Sequence, residues 1–327
     1  MIQFQYERAS TTKAAVSALA NNANAKIIAG GTNLVDLMKR NVMAPTKLVD
    51  INALPLRNIK QQNGKVIIGA LALNSQVADD KLILEKHPLL SKALNAGASA
   101  QIRNMATVGG NIMQRTRCSY FYDTALPCNK REPGSGCGAL EGVNRMHGIF
   151  GTSEQCIAVH PSDMCVALVA LDATVVVSGP KGERRIPFED FHRLPGSQPE
   201  KDNTMQKDEL IISVEIPDNA FSKNTHYFKV RDRASYAFAL VSVAAALDMD
   251  GKTIKEARLA MGGVAHKPWR LKEAEKALAG RPANEETFRR AAEIAMQGAK
   301  AYKHNAFKLQ LGSNVIVEAL KNAAGIV

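Results

Sequence analysis

Several features are missing from this chain of 327 residues, and each absence removes a class of function. No stretch approaches the ~18–20 consecutive apolar residues of a membrane-spanning helix, so no membrane insertion is expected. The opening Met-Ile-Gln-Phe-Gln-Tyr has no basic region, apolar region or small-residue cleavage site. The expectation is a chain without an export signal of its own, leaving the cytoplasm only if a partner carries one. Aromatic residues make up 5% of the sequence, too few for a platform that stacks nucleic-acid bases. The net charge of +11 is no nucleic-acid signature either, because the excess is +6 in residues 1–100 and +8 in residues 221–327, with −3 between them. Such a distribution reads as a solvated basic face, with docking on an acidic partner as the alternative; nucleic acid is not expected as a partner. None of the seven histidines falls in an H-E-x-x-H spacing, and no acid–base dyad or nucleophilic triad can be assigned. No catalytic side chain is therefore expected.

The sequence is long enough for two or three domains, and 46% hydrophobic with 22% charged residues is ordinary for a globular chain. The pattern predicts strands at 2–6, 26–28 and 48–51, with helices at 11–20 and 34–40 between them. Ser10 is the expected N-cap of the first helix. A strand at 66–68 opens a second region, followed by helices at 76–85 and 89–96. Residues 107–163 then lose both helical and strand periodicity, and a loop that long inside a compact domain is usually functional. A helix at 163–171, a hairpin at 174–186 and a strand at 209–216 complete this region. From about residue 222, strands at 227–230, 238–247 and 254–261 precede helices at 271–278, 285–296 and 305–322. Strands followed by segregated helices indicate an α+β fold whose last unit is a three-stranded sheet with helices.

Two glycine turns are placed to hold an anion. The first, Ile28-Ala29-Gly30-Gly31-Thr32-Asn33, links a β-branched strand to a helix. Glycine permits positive φ and close approach of backbone N–H groups, and the helix start adds partial positive charge. This is neither a Walker A loop nor a Rossmann fingerprint, since the required lysine and the G-x-G-x-x-G spacing are both missing. The second turn is Thr107-Val108-Gly109-Gly110-Asn111. Two turns, each with a Thr and an Asn beside its glycine pair, suit the two phosphates of a dinucleotide.

Four of the five cysteines, Cys118, Cys128, Cys137 and Cys156, fall in the aperiodic segment, with 9, 8 and 18 residues between successive members. Cys165 lies in an apolar helical run and reads as a small core residue. Disulfides add little to a chain of this size. A structural zinc site usually shows C-x-x-C knuckles, and none occurs. Four thiolates on a wrapping loop also suit an iron–sulfur cluster. The neighbours favour that option, since Arg115, Arg117, Lys130 and Arg131 would offset negative charge and Gly134, Gly136 and Gly138 would let N–H groups reach sulfur.

Taken in order, the two glycine turns, His160-Pro161-Ser162-Asp163-Met164, Glu209-Leu210-Ile211 and Phe228-Lys229-Val230-Arg231 resemble the FAD-binding subunit of the xanthine dehydrogenase family across essentially the whole chain. The 51 residues 112–162 form an insertion relative to most of that family. It is similar to an insertion in the flavin subunit of 4-hydroxybenzoyl-CoA reductase. It is closer to the FAD and [4Fe–4S] subunit of bacterial periplasmic aldehyde oxidoreductases, through Cys118-Ser119-Tyr120-Phe121, Cys128-Asn129-Lys130-Arg131 and Pro133-Gly134-Ser135-Gly136-Cys137.

The resemblance implies a two-part FAD-binding domain of the vanillyl-alcohol-oxidase type, residues 1–52 and 53–221, followed by a CO dehydrogenase flavoprotein-type domain at 222–327. It implies that Lys26, Ile27, Ile28, Ala29, Gly30, Gly31, Thr32, Asn33 and Leu34 wrap the FAD pyrophosphate, with Thr107, Gly110 and Asn111 closing from the other side. Gln114 occupies a cofactor-reaching position with a different side chain from the family's. Asp163 would accept from ribityl hydroxyls, Ile211 would pack on the isoalloxazine, and Lys229 would donate to the flavin region. An aromatic that stacks on the ring in some relatives is replaced by Gly97, which leaves that face open or covered by another group such as Tyr236. Cys118, Cys128, Cys137 and Cys156 would ligate a [4Fe–4S] cluster.

The implied function is an electron-transfer subunit in a heterotrimer with a large molybdenum-cofactor subunit and a small [2Fe–2S] subunit. Aldehyde oxidation at molybdenum would feed this FAD and then an external acceptor, in the periplasm after co-export or alternatively in the cytoplasm. A stand-alone flavin oxidase or dehydrogenase and a zinc-stabilised interaction module are the competing expectations.

Overall fold

Short β-branched runs alternating with helices make a parallel unit, because each crossover needs a helix to bring the chain back. The structure, a computed structural model, describes residues 1–326. Strands β1 (Gln5–Arg8), β2 (Ala25–Ile28) and β3 (Lys47–Asp50) pair in parallel in the order β1-β3-β2. Helices Thr12–Ala20 and Leu34–Lys39 form the crossovers. The first helix is capped by Thr11, whose hydroxyl accepts from the Ala14 N–H, and not by Ser10 as expected.

The second sheet is antiparallel and five-stranded. Its strands β4 (Ile59–Gln62), β5 (Lys65–Gly69), β6 (Thr174–Gly179), β7 (Gly182–Pro187) and β8 (Leu210–Pro217) run in the order β4-β5-β8-β6-β7. The helix expected at 76–85 is two helices, Asn74–Asp79 and Lys81–Lys86. The break has a local cause: Asp80 is extended and its carboxylate accepts from the Leu82 and Ile83 N–H groups, which starts a new helix.

The last sheet has four strands, not three: β9 (Asn224–Val230), β10 (Val241–Asp250), β11 (Thr253–Gly262) and the two-residue β12 (Trp269–Arg270). The extra strand is held where Trp269 stacks on Phe150, ring centroids 5.2 Å apart. Along β10 the faces alternate. Val241, Val243, Ala245 and Leu247 join a core with helices Lys272–Leu278, Glu285–Ala295 and Phe307–Ala324. Ala244 and Ala246 face the larger core, which contains the wholly buried helix Asp163–Ala170 and the five-stranded sheet. Small residues on that face let a sheet covered on both sides pack closely against a helix. Phe288→Ala should empty a fully buried aromatic site in the helix-covered core. The expected cost is about 3–5 kcal/mol, read as a lower denaturation midpoint with an unchanged slope.

Residues 107–163 are irregular but well tied. They contain short helices Val108–Ile112, Ser119–Tyr122 and Gly138–Glu141 and no strand beyond isolated bridges, one of which pairs Cys128 with Cys137. No helix among the described residues is long and apolar enough to cross a membrane.

Candidate functional site

A cavity of about 520 Å³ opens where the parallel unit meets the five-stranded sheet. Its wall contains Lys26, Ile27, Ile28, Ala29, Gly30, Gly31, Thr32, Asn33 and Leu34 from the first glycine turn, Thr107 and Gly110 from the second, and Ile211 from β8. The first turn leaves β2 with Gly31 at φ +71°, and Asn52 Nδ2 donates to the Ala29 carbonyl at 3.1 Å, fixing the loop. The second turn is helical from the start. Thr107 caps it by accepting from the Gly110 N–H at 3.2 Å, and an isolated bridge pairs Thr107 with Leu73 just before it.

The two turns touch through bare backbone. A Cβ on Gly30 would lie 1.9 Å from the Met105 carbonyl oxygen, so only glycine fits there. Asn33 Oδ1 accepts from the Arg115 N–H at 2.9 Å, while its buried Nδ2 has no protein partner. A buried amide donor left unpaired in a cavity wall is a position for a ligand acceptor. Lys26 meets solvent at the rim; partial desolvation, then Arg115 and Lys207, lower its ammonium pKa. An anion here would relieve that repulsion. The six-residue helix after the first turn adds little dipole, so these donors and cations carry the attraction.

Asn111, Gln114, Asp163 and Lys229 are not on this wall. Gln114 Nε2 donates to Asn111 Oδ1 at 2.7 Å, and that oxygen also accepts from the Ser162 hydroxyl at 2.6 Å. Ser162 and Asp163 line a second cavity of about 330 Å³, together with Arg117, Cys118, Arg145, His147 and Phe238. Asn111 thus connects the second glycine turn to this space. Asp163 does not cap its helix, since Ser162 does so. Its carboxylate accepts from Lys229 Nζ at 2.7 Å and from the Tyr227 hydroxyl at 2.8 Å. Burial and the adjacent carboxylate raise the Tyr227 phenol well above its usual pKa, so it remains a donor. Gly97 stands beside that carboxylate, where a Cβ would be 3.3 Å from Asp163 Oδ2. Tyr236 is exposed and is absent from both walls; Phe238 is the aromatic on the second.

Cys118, Cys128, Cys137 and Cys156 all line one further small cavity, with Lys130, His147 and Tyr120 among its walls. Burial pushes the thiols of Cys118 and Cys156 up to about 12 and about 11, Lys130 partly opposing it at Cys156. A metal centre would therefore have to displace their protons on binding.

The expected supporting contacts differ in detail. The Gly134 and Gly136 N–H groups donate to Asn129 Oδ1 at 3.1 and 2.8 Å, and that of Gly138 to the Pro127 carbonyl, not to sulfur. Asn129 claims these amides because its own amide is anchored on Gln155 across the loop. N–H groups that do reach sulfur come from outside the glycines: that of Ala158 is 3.4 Å from Cys156 Sγ, and those of Tyr120 and Phe121 act on Cys118. Of the four cations expected to balance charge, only Lys130 lines this cavity. Arg117 pairs with Asp36, Arg115 pairs with Asp202, and Arg131 donates to the carbonyls of Tyr120 and Phe121.

Several wall residues were not anticipated. Glu200, Lys201, Asp202, Asn203, Gln206 and Lys207 form one side of the first cavity from a loop without periodicity. Tyr227 has a weak signal, two residues before Lys229 on the same strand face. Cys165 is buried, as expected, but one nitrogen each of His160 and His192 lies with its sulfur inside 4.8 Å. No other trio of His, Cys, Asp or Glu ligand atoms among the described residues is so close.

Residues 2–219 match the family described as FAD binding domain in molybdopterin dehydrogenase, and residues 226–323 match the CO dehydrogenase flavoprotein C-terminal domain. Over 326 residues, 99% of either chain, the sequence is 47% identical to the aldehyde oxidoreductase FAD-binding subunit PaoB of Escherichia coli (strain K12). It is 30% identical over 285 residues to the glyceraldehyde dehydrogenase medium chain of Sulfolobus acidocaldarius, covering 87% of this chain and 84% of that one. In a solved structure of carbon monoxide dehydrogenase from Hydrogenophaga pseudoflava, lacking the Mo-pyranopterin moiety, one chain superimposes with a TM-score of 0.78. The identity is 25%, and the match covers 100% of this chain and 99% of that one.

Proposed function

The chain belongs to the FAD-binding subunits of the molybdenum-hydroxylase family, and we propose that it also holds a [4Fe–4S] cluster and serves an aldehyde oxidoreductase. Its family function is that of an electron-transfer flavoprotein subunit in a multi-subunit molybdenum-cofactor oxidoreductase. The flavin supplies two-electron chemistry and the cluster one-electron transfer; the protein binds, orients and insulates them.

In this reading units 1–52 and 53–221 hold the FAD between them. The sixteen site residues divide the work. The first cavity takes the pyrophosphate, with Asn33 Nδ2 as a ready donor. Asp163, oriented by Lys229 and Tyr227, receives ribityl hydroxyls through the lone pairs those partners leave free. Ile211, on the first wall, packs against the ring system, while Asn111 and Gln114 hold the two spaces in register.

The observation that carries the cluster is the convergence of four cysteines, spread over 39 residues of irregular chain, on one cavity. Their spread also favours a multi-iron centre over a single ion. Four thiolates about 2.3 Å from one zinc would stand about 3.8 Å apart. No three of these sulfurs lie within 4.8 Å of one another.

A large molybdenum-cofactor subunit and a small [2Fe–2S] subunit would complete a heterotrimer, exported with a signal-bearing partner. Aldehyde oxidation would occur in the large subunit, and an external acceptor would receive electrons from this chain. Likeness to an aldehyde oxidoreductase subunit over 99% of the chain supports that substrate class.

Iron, acid-labile sulfide, zinc and flavin analysis of the anaerobically purified complex tests the reading. About four irons and one FAD belonging to this chain, beyond those of its partners, are expected. Cys137→Ser should lose those irons and keep the FAD. One zinc per chain, or an iron content indifferent to Cys137→Ser, overturns the ligand assignment. Flavin reduction by aldehyde in the isolated chain would favour a stand-alone enzyme.

A further inference from the structure

Two buried side chains beside the cysteine cavity lack the partners that would normally stabilise them. Lys308, in the first turn of helix Phe307–Ala324, is fully buried. Its ammonium donates to the carbonyls of His147 at 2.9 Å and Gly263 at 2.7 Å. Its strongest charged neighbour is Arg145, of like sign, and no carboxylate pairs with it among the described residues. Burying an ammonium without an anion nearby is strongly unfavourable.

His147 lines the cysteine cavity with its Nε2 3.1 Å from Cys118 Sγ, and its buried Nδ1 has no partner. When Cys118 is a metal-bound thiolate it carries no proton, so Nε2–H must be the donor in this contact. Nδ1 is then a bare lone pair and not a stranded N–H, the milder of the two vacancies. The ring is held in place from behind. Lys308 Nζ and Asn305 Nδ2 both grip the His147 carbonyl, and Asn305 also grips that of Gly148. Residues 305–308 of the C-terminal unit thereby fix the segment that presents His147 to Cys118.

We propose that His147 and Lys308 form the electrostatic side of the cluster site, His147 donating a hydrogen bond to the Cys118 thiolate and Lys308 holding that donor by its carbonyl, which sets a buried cation behind it. Hydrogen bonds to sulfur and nearby positive charge stabilise the reduced, more negative form, so the pair raises the cluster potential. Both are positioning and tuning residues, since neither ligates iron. The inference rests on the reading that the four cysteines bind a cluster.

The test is an EPR-monitored redox titration of the complete complex, wild type and His147→Phe, His147→Gln and Lys308→Met, with iron and sulfide measured first. His147→Phe should lower the midpoint, so that at fixed ambient potential the oxidised-to-reduced ratio rises at least tenfold, ~59 mV for one electron. His147→Gln keeps an N–H and should fall between that variant and wild type; Lys308→Met should move in the same direction. An unchanged midpoint in His147→Phe with iron retained overturns the proposal. If the Phe variant loses iron, the Gln variant decides: a wild-type midpoint, or loss of iron there too, also overturns it. Absence of the chain's cluster iron from the wild-type complex would instead sink the cluster reading itself.

Discussion

Gly30→Ala is expected to leave a folded chain that no longer retains FAD. The added methyl would sit 1.9 Å from the Met105 oxygen and 2.8 Å from its carbonyl carbon, and both are backbone. That backbone cannot retreat cheaply. The Ala106 carbonyl accepts from Asn74 N–H, and the Val108 and Gly109 N–H groups donate to the Ala72 and Ala70 carbonyls. The first glycine turn must move instead, and it carries Gly31, Thr32 and Asn33 of the same cavity wall away from Thr107 and Gly110. Donors placed to converge on one diphosphate then no longer converge, and an ångström of misplacement is enough to lose most of a hydrogen bond. Affinity should fall at least a hundredfold, about 2.8 kcal/mol. Flavin absorbance per chain after gel filtration, with a fluorescence titration of the stripped protein, measures the loss. Gly64→Asn is the matched control: its φ of +69° is one that asparagine accepts, and no atom lies within 4 Å of the added Cβ. Unaltered flavin content and affinity in Gly30→Ala would refute the two-turn description of the site.

That site was largely legible in the sequence because its chemistry lies in backbone-permissive residues. Gly30, Gly31, Gly109 and Gly110, each pair with a Thr and an Asn close by, announce close approach whatever the rest of the fold does. The cysteines were legible for a related reason, since thiols in an irregular segment have few bland explanations. What the sequence does not show is set by tertiary neighbours. Residues 200–207 have no period, and their role comes only from Asp202 meeting Arg115 and Lys130, 87 and 72 positions earlier. The two-residue β12 is too short for any pattern and exists because Trp269 finds Phe150. Asp80 could have been read as a cap, but helical periodicity ran through it and masked the break. The sequence points the glycine amides at 134 and 136 to sulfur because nothing in it shows that Asn129, folded back by Gln155, takes them first.

Asp202→Ala should damage both proposed cofactor sites at once, through a single lost carboxylate. Asp202 and Arg115 stand on the wall of the first cavity, and Lys130 stands on the wall of the cysteine cavity. The carboxylate bonds Arg115 Nε at 2.7 Å and forms an ion pair with the Lys130 ammonium, whose side chain is 1% exposed. Lys130 otherwise has the Pro199 carbonyl at 2.9 Å and His266 Nε2 at 2.7 Å, neither of them charged when His266 is neutral. Burial and the adjacent ammonium lower His266 to about 4, which keeps it neutral near pH 7. Removing the carboxylate leaves a buried cation without an anion, a change of about 3–5 kcal/mol in sites of this kind. The expected result is a chain less stable by that order that loses FAD and iron together, whereas Cys137→Ser loses iron alone. The sign of the pH dependence follows from the same contacts. Burial alone would raise the Asp202 pKa, but Lys130 and Arg115 outweigh it and hold the carboxyl well below its usual range. Its contribution is therefore fully present above the unfolded value of about 3.9 and is lost as pH falls through the folded value. Denaturation midpoints measured from pH 6 down to pH 3 should drop more steeply for wild type than for Asp202→Ala, since only wild type has this depressed group to protonate. Parallel curves for the two proteins, or a variant that keeps its full complement of flavin and iron, would show that the two sites are held independently.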